Sequence, residues 1–136
     1  MVAPFILRRM KQDVLDELPE KIETVMTSEM TPGQAKIYHA YAEKLMQEAE
    51  SELADPQGRM KLLAGLTRLR QLCCDPRLCL EEYAAGSGKL DQLIELAGGL
   101  AAQGHRMLIF SQFTSMLALL EEALHDAGLQ TLKLTG

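Results

Sequence analysis

The run Met107-Leu108-Ile109-Phe110 is uninterruptedly apolar and lies between the polar pairs His105-Arg106 and Ser111-Gln112. A run of this kind suits a strand buried on both faces of a parallel sheet better than one alternating between core and water. Thr114 and Ser115 are of the helix-capping type, and Met116, Leu117, Leu120, Ala123 and Leu124 then fall on one helical face. Gly128 stands where a left-handed helix end is expected, and residues 129–134 read as a second short strand. Strand, helix, strand is the unit of a right-handed parallel crossover. Two parallel strands alone have little to pack against, so this stretch is expected to be a piece of a larger α/β body.

Composition narrows the class. The 136 residues suffice for one ordinary domain, which buries about 60–70% of its unfolded surface. At 47% hydrophobic and 24% charged residues the chain is too apolar for disorder. No run approaches the ~20 apolar residues that span a bilayer, and no secretion signal opens the sequence, so no membrane partner is expected. A net charge of -5 argues against a wholly basic, histone-like binder, and 4% aromatic residues are too few for an extended base-stacking platform. Cys73, Cys74 and Cys79 are an odd set, read most simply as reduced thiols in a cytoplasmic protein.

From the start of the chain, Pro4 opens a helix with Leu7, Met10, Val14 and Leu18 on one side, which Pro19 ends. Residues 21–28 have a strand-like composition. Thr31-Pro32-Gly33-Gln34 reads as a helix start in which threonine caps and glutamine reaches back. That helix is expected to run to about Leu53, with Tyr38, Tyr41, Ala42, Leu45 and Ala49 on its apolar side. After the turn at Asp55-Pro56, a second helix carries Leu62, Leu66, Leu69 and Cys73 until Asp75-Pro76 closes it, giving an antiparallel hairpin. A third helix from about Lys89 presents Leu90, Leu93, Ile94, Ala97 and Leu100, and Gly104 stops it.

Four segments resemble one family. Pro4-Phe5-Ile6-Leu7-Arg8-Arg9-Met10-Lys11-Gln12-Asp13-Val14 with Leu18-Pro19-Glu20-Lys21 looks like the junction entering the second motor lobe of the Swi/Snf family of DNA-dependent ATPases. Leu69-Arg70-Gln71-Leu72-Cys73-Cys74-Asp75-Pro76, then Ser87-Gly88-Lys89-Leu90, resembles further family segments, with the cysteine pair closer to bacterial members. Residues 105–113 resemble the helicase motif that opens the second RecA-like lobe. The resemblance implies a truncated, parallel RecA-like α/β half-lobe with a helical hairpin insertion, mostly α by residue count. Its parts would be a junction helix and leading strand (1–30), a helical protrusion (31–80) and the first part of the lobe (81–136). It implies a parent that uses ATP and magnesium to translocate on double-stranded DNA and remodel protein–DNA complexes, in the cytoplasm and nucleoid-associated if bacterial. The first lobe and the rest of the second would be its partners.

The chain carries little of that chemistry itself. Gly86-Ser87-Gly88-Lys89-Leu90 looks like the tail of a phosphate-cradling loop, but Tyr83 stands where the first glycine belongs and Leu90 has no hydroxyl. The acidic metal motif and the arginines of such motors are absent, so this stretch alone is expected to be inactive and to hold no cofactor. The resemblance turns Ser111, Gln112 and Thr114 toward the DNA backbone; capping alone is the competing account of Ser111 and Gln112. Arg8 and Arg9 are candidate phosphate contacts, and Lys11 and Asp13 candidate lobe-junction residues, against a plain solvated helix face. Arg68 and Arg70 suit an ion pair as well as DNA. The cysteines lack zinc-like spacing, and His39, His105 and His125 form no nucleophile pair. Uncovered leucines are expected to make the fragment self-associate. A helical protein-interaction module without motor activity is the alternative reading; a strand-separating helicase is a third.

Overall fold

In the computed structural model, which describes residues 22–52 and 55–135, the helix boundaries follow from where the chain supplies missing backbone partners. The helices are α1 (Pro32–Glu52), α2 (Pro56–Cys74), α3 (Gly88–Ala102) and α4 (Thr114–Asp126), with a short 3-10 turn at Pro76–Leu78. Asp55 caps α2 by accepting from the Gly58 amide at 3.3 Å, and Pro56 fills the first helical position. Gly104 and Gly128, at φ +80° and +78°, end α3 and α4 in the left-handed region. In each, the amide after the glycine reaches the carbonyl five residues back, His105 to Leu100 and Leu129 to Leu124. That is the Schellman pattern, and it satisfies carbonyls the helix leaves open.

The apolar stripes pack as their spacing dictates. Leu90 of α3 and Met116 and Leu120 of α4 form the buried centre, flanked by Leu93, Ile94 and Leu117. On the hairpin, the missing side chain of Gly65 admits Leu45: a Cβ there would lie 2.3 Å from the leucine Cδ1.

Polar groups join the hairpin to α3. Four carbonyls at the end of α2 lack helical partners, and each is met. Asp75 donates its amide to Gln71, the Gln34 side chain donates to Leu72 at 2.7 Å and to Cys73 at 3.4 Å, and Ser87 donates its hydroxyl to Cys74 at 2.7 Å. The Gln34 oxygen accepts from the Gly88 amide at 3.3 Å, and Ser87 caps α3 by accepting from Leu90. Gln34 and Ser87 are each 1% exposed. The spacing points Gln34 back to its own helix start; its side-chain amide instead serves two other helices, while Thr31 does cap α1 by accepting from the Gln34 backbone amide.

The strand expectations need correction. Among the described residues there is no strand. Residues 22–28, 107–110 and 129–134 are neither helical nor laddered, so the parallel sheet expected of an α/β half-lobe is not seen among the described residues. Along 107–110 burial alternates, with Leu108 and Phe110 at 84% and 88% exposed, and Leu132 and Leu134 are exposed as well. A ladder needs a neighbour at the right distance, and a two-stranded sheet with one uncovered face is marginal in water. Met26 and Ser28 instead face Ile109, Phe110 and Ser111 across an open groove of about 300 Å³. The junction helix expected at residues 4–18 lies outside the described residues.

Burial pushes the Cys73 and Cys79 thiols above their ordinary value of 9.0, with Lys89 and Arg68 respectively opposing. The neutral thiol is therefore the form the fold favours. Their contribution to stability is intact below pH ~9 and lost as pH rises through the higher folded values. Alkylation by iodoacetamide at pH 8 should be slower in the folded chain than in urea, and the gap should narrow with rising pH.

Replacing Gln34 with leucine strands two carbonyls and an amide, and should lower the unfolding free energy by about 2–3 kcal/mol in urea titrations. Gly88→Ala should cost more than Gly65→Ala. A Cβ at Gly88 would lie 1.8 Å from the Glu29 carbonyl oxygen, which is backbone, whereas Leu45 beside Gly65 can turn aside and the helix gains up to about 1 kcal/mol from alanine.

Candidate functional site

The residues that follow the 107–110 segment form a tight turn into α4. The Ser111 hydroxyl accepts from the Phe113 amide at 3.2 Å and donates to the Phe113 carbonyl at 3.1 Å, so Ser111 braces the turn. It does not cap α4. Phe113 occupies the cap position, no side chain bonds the first-turn amides, and Thr114 is the first helical residue. The expected capping by Thr114 or Ser115 is therefore absent, leaving exposed hydroxyls beside the positive end of the helix dipole.

Gln112, at the apex of the turn, is exposed and accepts a hydrogen bond from Arg70 through its side-chain oxygen. Arg70 comes from α2, so the helical hairpin and the α4 turn meet at this point. The neighbouring Arg68 lies over the Tyr41 ring at 5.5 Å and donates to the Cys79 carbonyl at 3.4 Å. These contacts, with a neutral amide, an aromatic face and a carbonyl, take the place of the ion pairs considered for the two arginines. Ser111, Gln112 and Thr114 are thus brought together, and Arg70 joins them. Arg8, Arg9, Lys11 and Asp13 lie outside the described residues.

One charged pair is internal. Asp75, with no exposed side-chain surface, accepts from the Arg77 amide at 2.9 Å and from both guanidinium nitrogens at 3.0 and 2.8 Å. The hydrogen bond to Asp75 raises the Arg77 pKa, with Glu122 and Asp91 adding to it. This bidentate pair holds the 3-10 turn and is spent on structure.

The Gly86–Lys89 loop does not fit a phosphate. The Gly88 amide donates to Gln34, the Ser87 hydroxyl is bonded on both sides, and the Glu29 carbonyl crowds Gly88. A phosphate cradle needs those donors free. Among the described residues no cluster of His, Cys, Asp or Glu is arranged to hold a metal ion, and no helix is long and apolar enough to cross a membrane.

Residues 1–78 match the family described as SNF2-related domain. The mouse chromodomain-helicase-DNA-binding protein 1-like is 36% identical over 138 residues, covering 94% of this chain and 15% of that protein. The rice DNA excision repair protein CSB is 33% identical over the whole chain and 12% of its own length. The fission-yeast chromatin structure-remodeling complex subunit snf21 is 29% identical, also over the whole chain and 12% of its own length. The chain therefore spans about an eighth of such relatives. No solved structure matches it. With a family match over more than half its length and relatives aligned from end to end, this chain belongs to the SNF2-related family of helicase-like ATPases.

Proposed function

We propose that the chain is the front of the second RecA-like lobe of an ATP-dependent double-stranded-DNA translocase that remodels protein–DNA complexes. In this reading Ser111, Gln112 and Thr114 meet the DNA backbone, and Arg8 and Arg9 add phosphate contacts. Lys11 and Asp13 couple the lobes, and residues 31–80 are the helical protrusion. The observation that carries it is the turn into α4, whose polar apex at Gln112 is exposed and tied to the hairpin by Arg70. The names of the relatives, a helicase-DNA-binding protein, a chromatin-remodelling subunit and an excision repair protein, agree with DNA as the partner. The exposed apolar residues at 22–26, 108–110 and 132–134 are then edges awaiting the rest of the lobe's sheet. ATP and magnesium supply the driving hydrolysis from the rest of the protein, and the 136-residue stretch alone is inactive. A bacterial, cytoplasmic setting belongs to the same proposal and rests on the cysteine pair and the reduced thiols.

A protein-interaction module is the second reading. It is favoured by the apolar cleft between α1 and α2, where Met46 and Leu66 are 73% and 52% exposed.

Two measurements separate these readings. In the full-length protein, Gln112→Ala should weaken duplex binding about tenfold with an unchanged salt slope, because the side chain is neutral. Arg9→Ala should reduce the slope of log K against log salt by about 0.9. Unchanged affinity in both variants would overturn the DNA reading. The isolated 136-residue chain should scatter light as a dimer or larger, since the exposed apolar residues seek partners; a clean monomer at high concentration contradicts that.

A further inference from the structure

We infer that Arg70 is a positioning residue for Gln112, holding its amide so that the hydrogen-bond donors of the group face outward. The inference rests on the proposed DNA contact at Gln112. A guanidinium has donors and no acceptor, so the atom of Gln112 that meets Arg70 must be the carbonyl oxygen. With the oxygen turned toward Arg70, the NH2 group is the part of the amide that points away and is free to donate to a ligand. Without Arg70 the terminal amide of an exposed glutamine turns freely, presenting oxygen or nitrogen alike. Phosphodiester oxygens accept hydrogen bonds and do not donate them, so a glutamine locked in the donor orientation is matched to a DNA backbone before DNA arrives. The lock has firm mountings at both ends. Arg70 lies on α2, whose C-terminal carbonyls are bound by Gln34 and Ser87. Gln112 lies between Ser111 and Phe113, whose turn is closed by the Ser111 hydroxyl. Arg70 also couples the hairpin to the contact, since a displacement of α2 would release the glutamine.

The test is a double-mutant cycle in the full-length protein, reading duplex-DNA affinity by fluorescence anisotropy at several salt concentrations. Arg70→Ala should weaken binding about fivefold and Gln112→Ala about tenfold. The double variant should be no weaker than Gln112→Ala alone, and Arg70→Lys should recover most of the loss. Because Arg70 acts through a neutral amide, the salt slope of Arg70→Ala should change by well under the ~0.9 expected of a lost phosphate contact. Multiplicative losses in the double variant, a full loss of slope, or an Arg70→Ala protein that binds normally would overturn the positioning role while leaving the Gln112 contact standing. If Gln112→Ala binds normally, the proposed DNA contact at Gln112 falls and the inference with it. Thermal midpoints should match across the set, because both side chains are exposed.

Discussion

The side-chain amide of Gln34 is the constraint on which the rest of the chain depends. One buried group donates to the last turn of α2 and accepts from the first residue of α3, so three helices share it. Leaving those groups unpaired would cost about 1–3 kcal/mol each, against a net gain near 1 kcal/mol for an ordinary hydrogen bond. The asymmetry makes the joint specific: few other arrangements of the hairpin against α3 satisfy the same atoms. Ser87 and Asp75 complete the accounting, and Gly88 supplies the room by letting the Glu29 carbonyl approach where a side chain would collide.

That joint also decides what the loop from Gly86 to Lys89 can do. Its glycines and lysine resemble a phosphate-binding loop, yet the amide and hydroxyl such a loop would offer are consumed in holding helices together. The same atoms cannot serve both ends. The segment is structural, and the proposed DNA contact lies elsewhere, at the turn into α4. There the donors are on the surface, and Arg70 extends the rigidity of the hairpin to Gln112.

The helices of the described residues were legible in the sequence because their signals are local. Thr31-Pro32, Asp55-Pro56, Asp75-Pro76, Gly104 and Gly128 each act within a turn of where they stand, and the leucine stripes report the buried face directly. The strands were not, because an extended segment becomes a strand only when a neighbour accepts its hydrogen bonds. Met107 to Phe110 has a composition for burial on two sides but only one side covered. The local signal at Gln34 points to its own helix start, since nothing within four residues says that its partners lie 38 and 54 residues away. Arg70 and Gln112, 42 residues apart, are paired for the same non-local reason. From sequence alone Ser111 and Gln112 suit either a contact or a cap. Their roles divide, one bracing the turn and the other standing at its apex.

The central claim is that the turn into α4 faces duplex DNA, and site-specific photocrosslinking in the full-length protein tests it most directly. A photoreactive residue at position 114 should capture duplex DNA in a salt-sensitive manner, while one at the exposed hairpin position 47 should capture little. Capture at 47 with none at 114 would contradict the account.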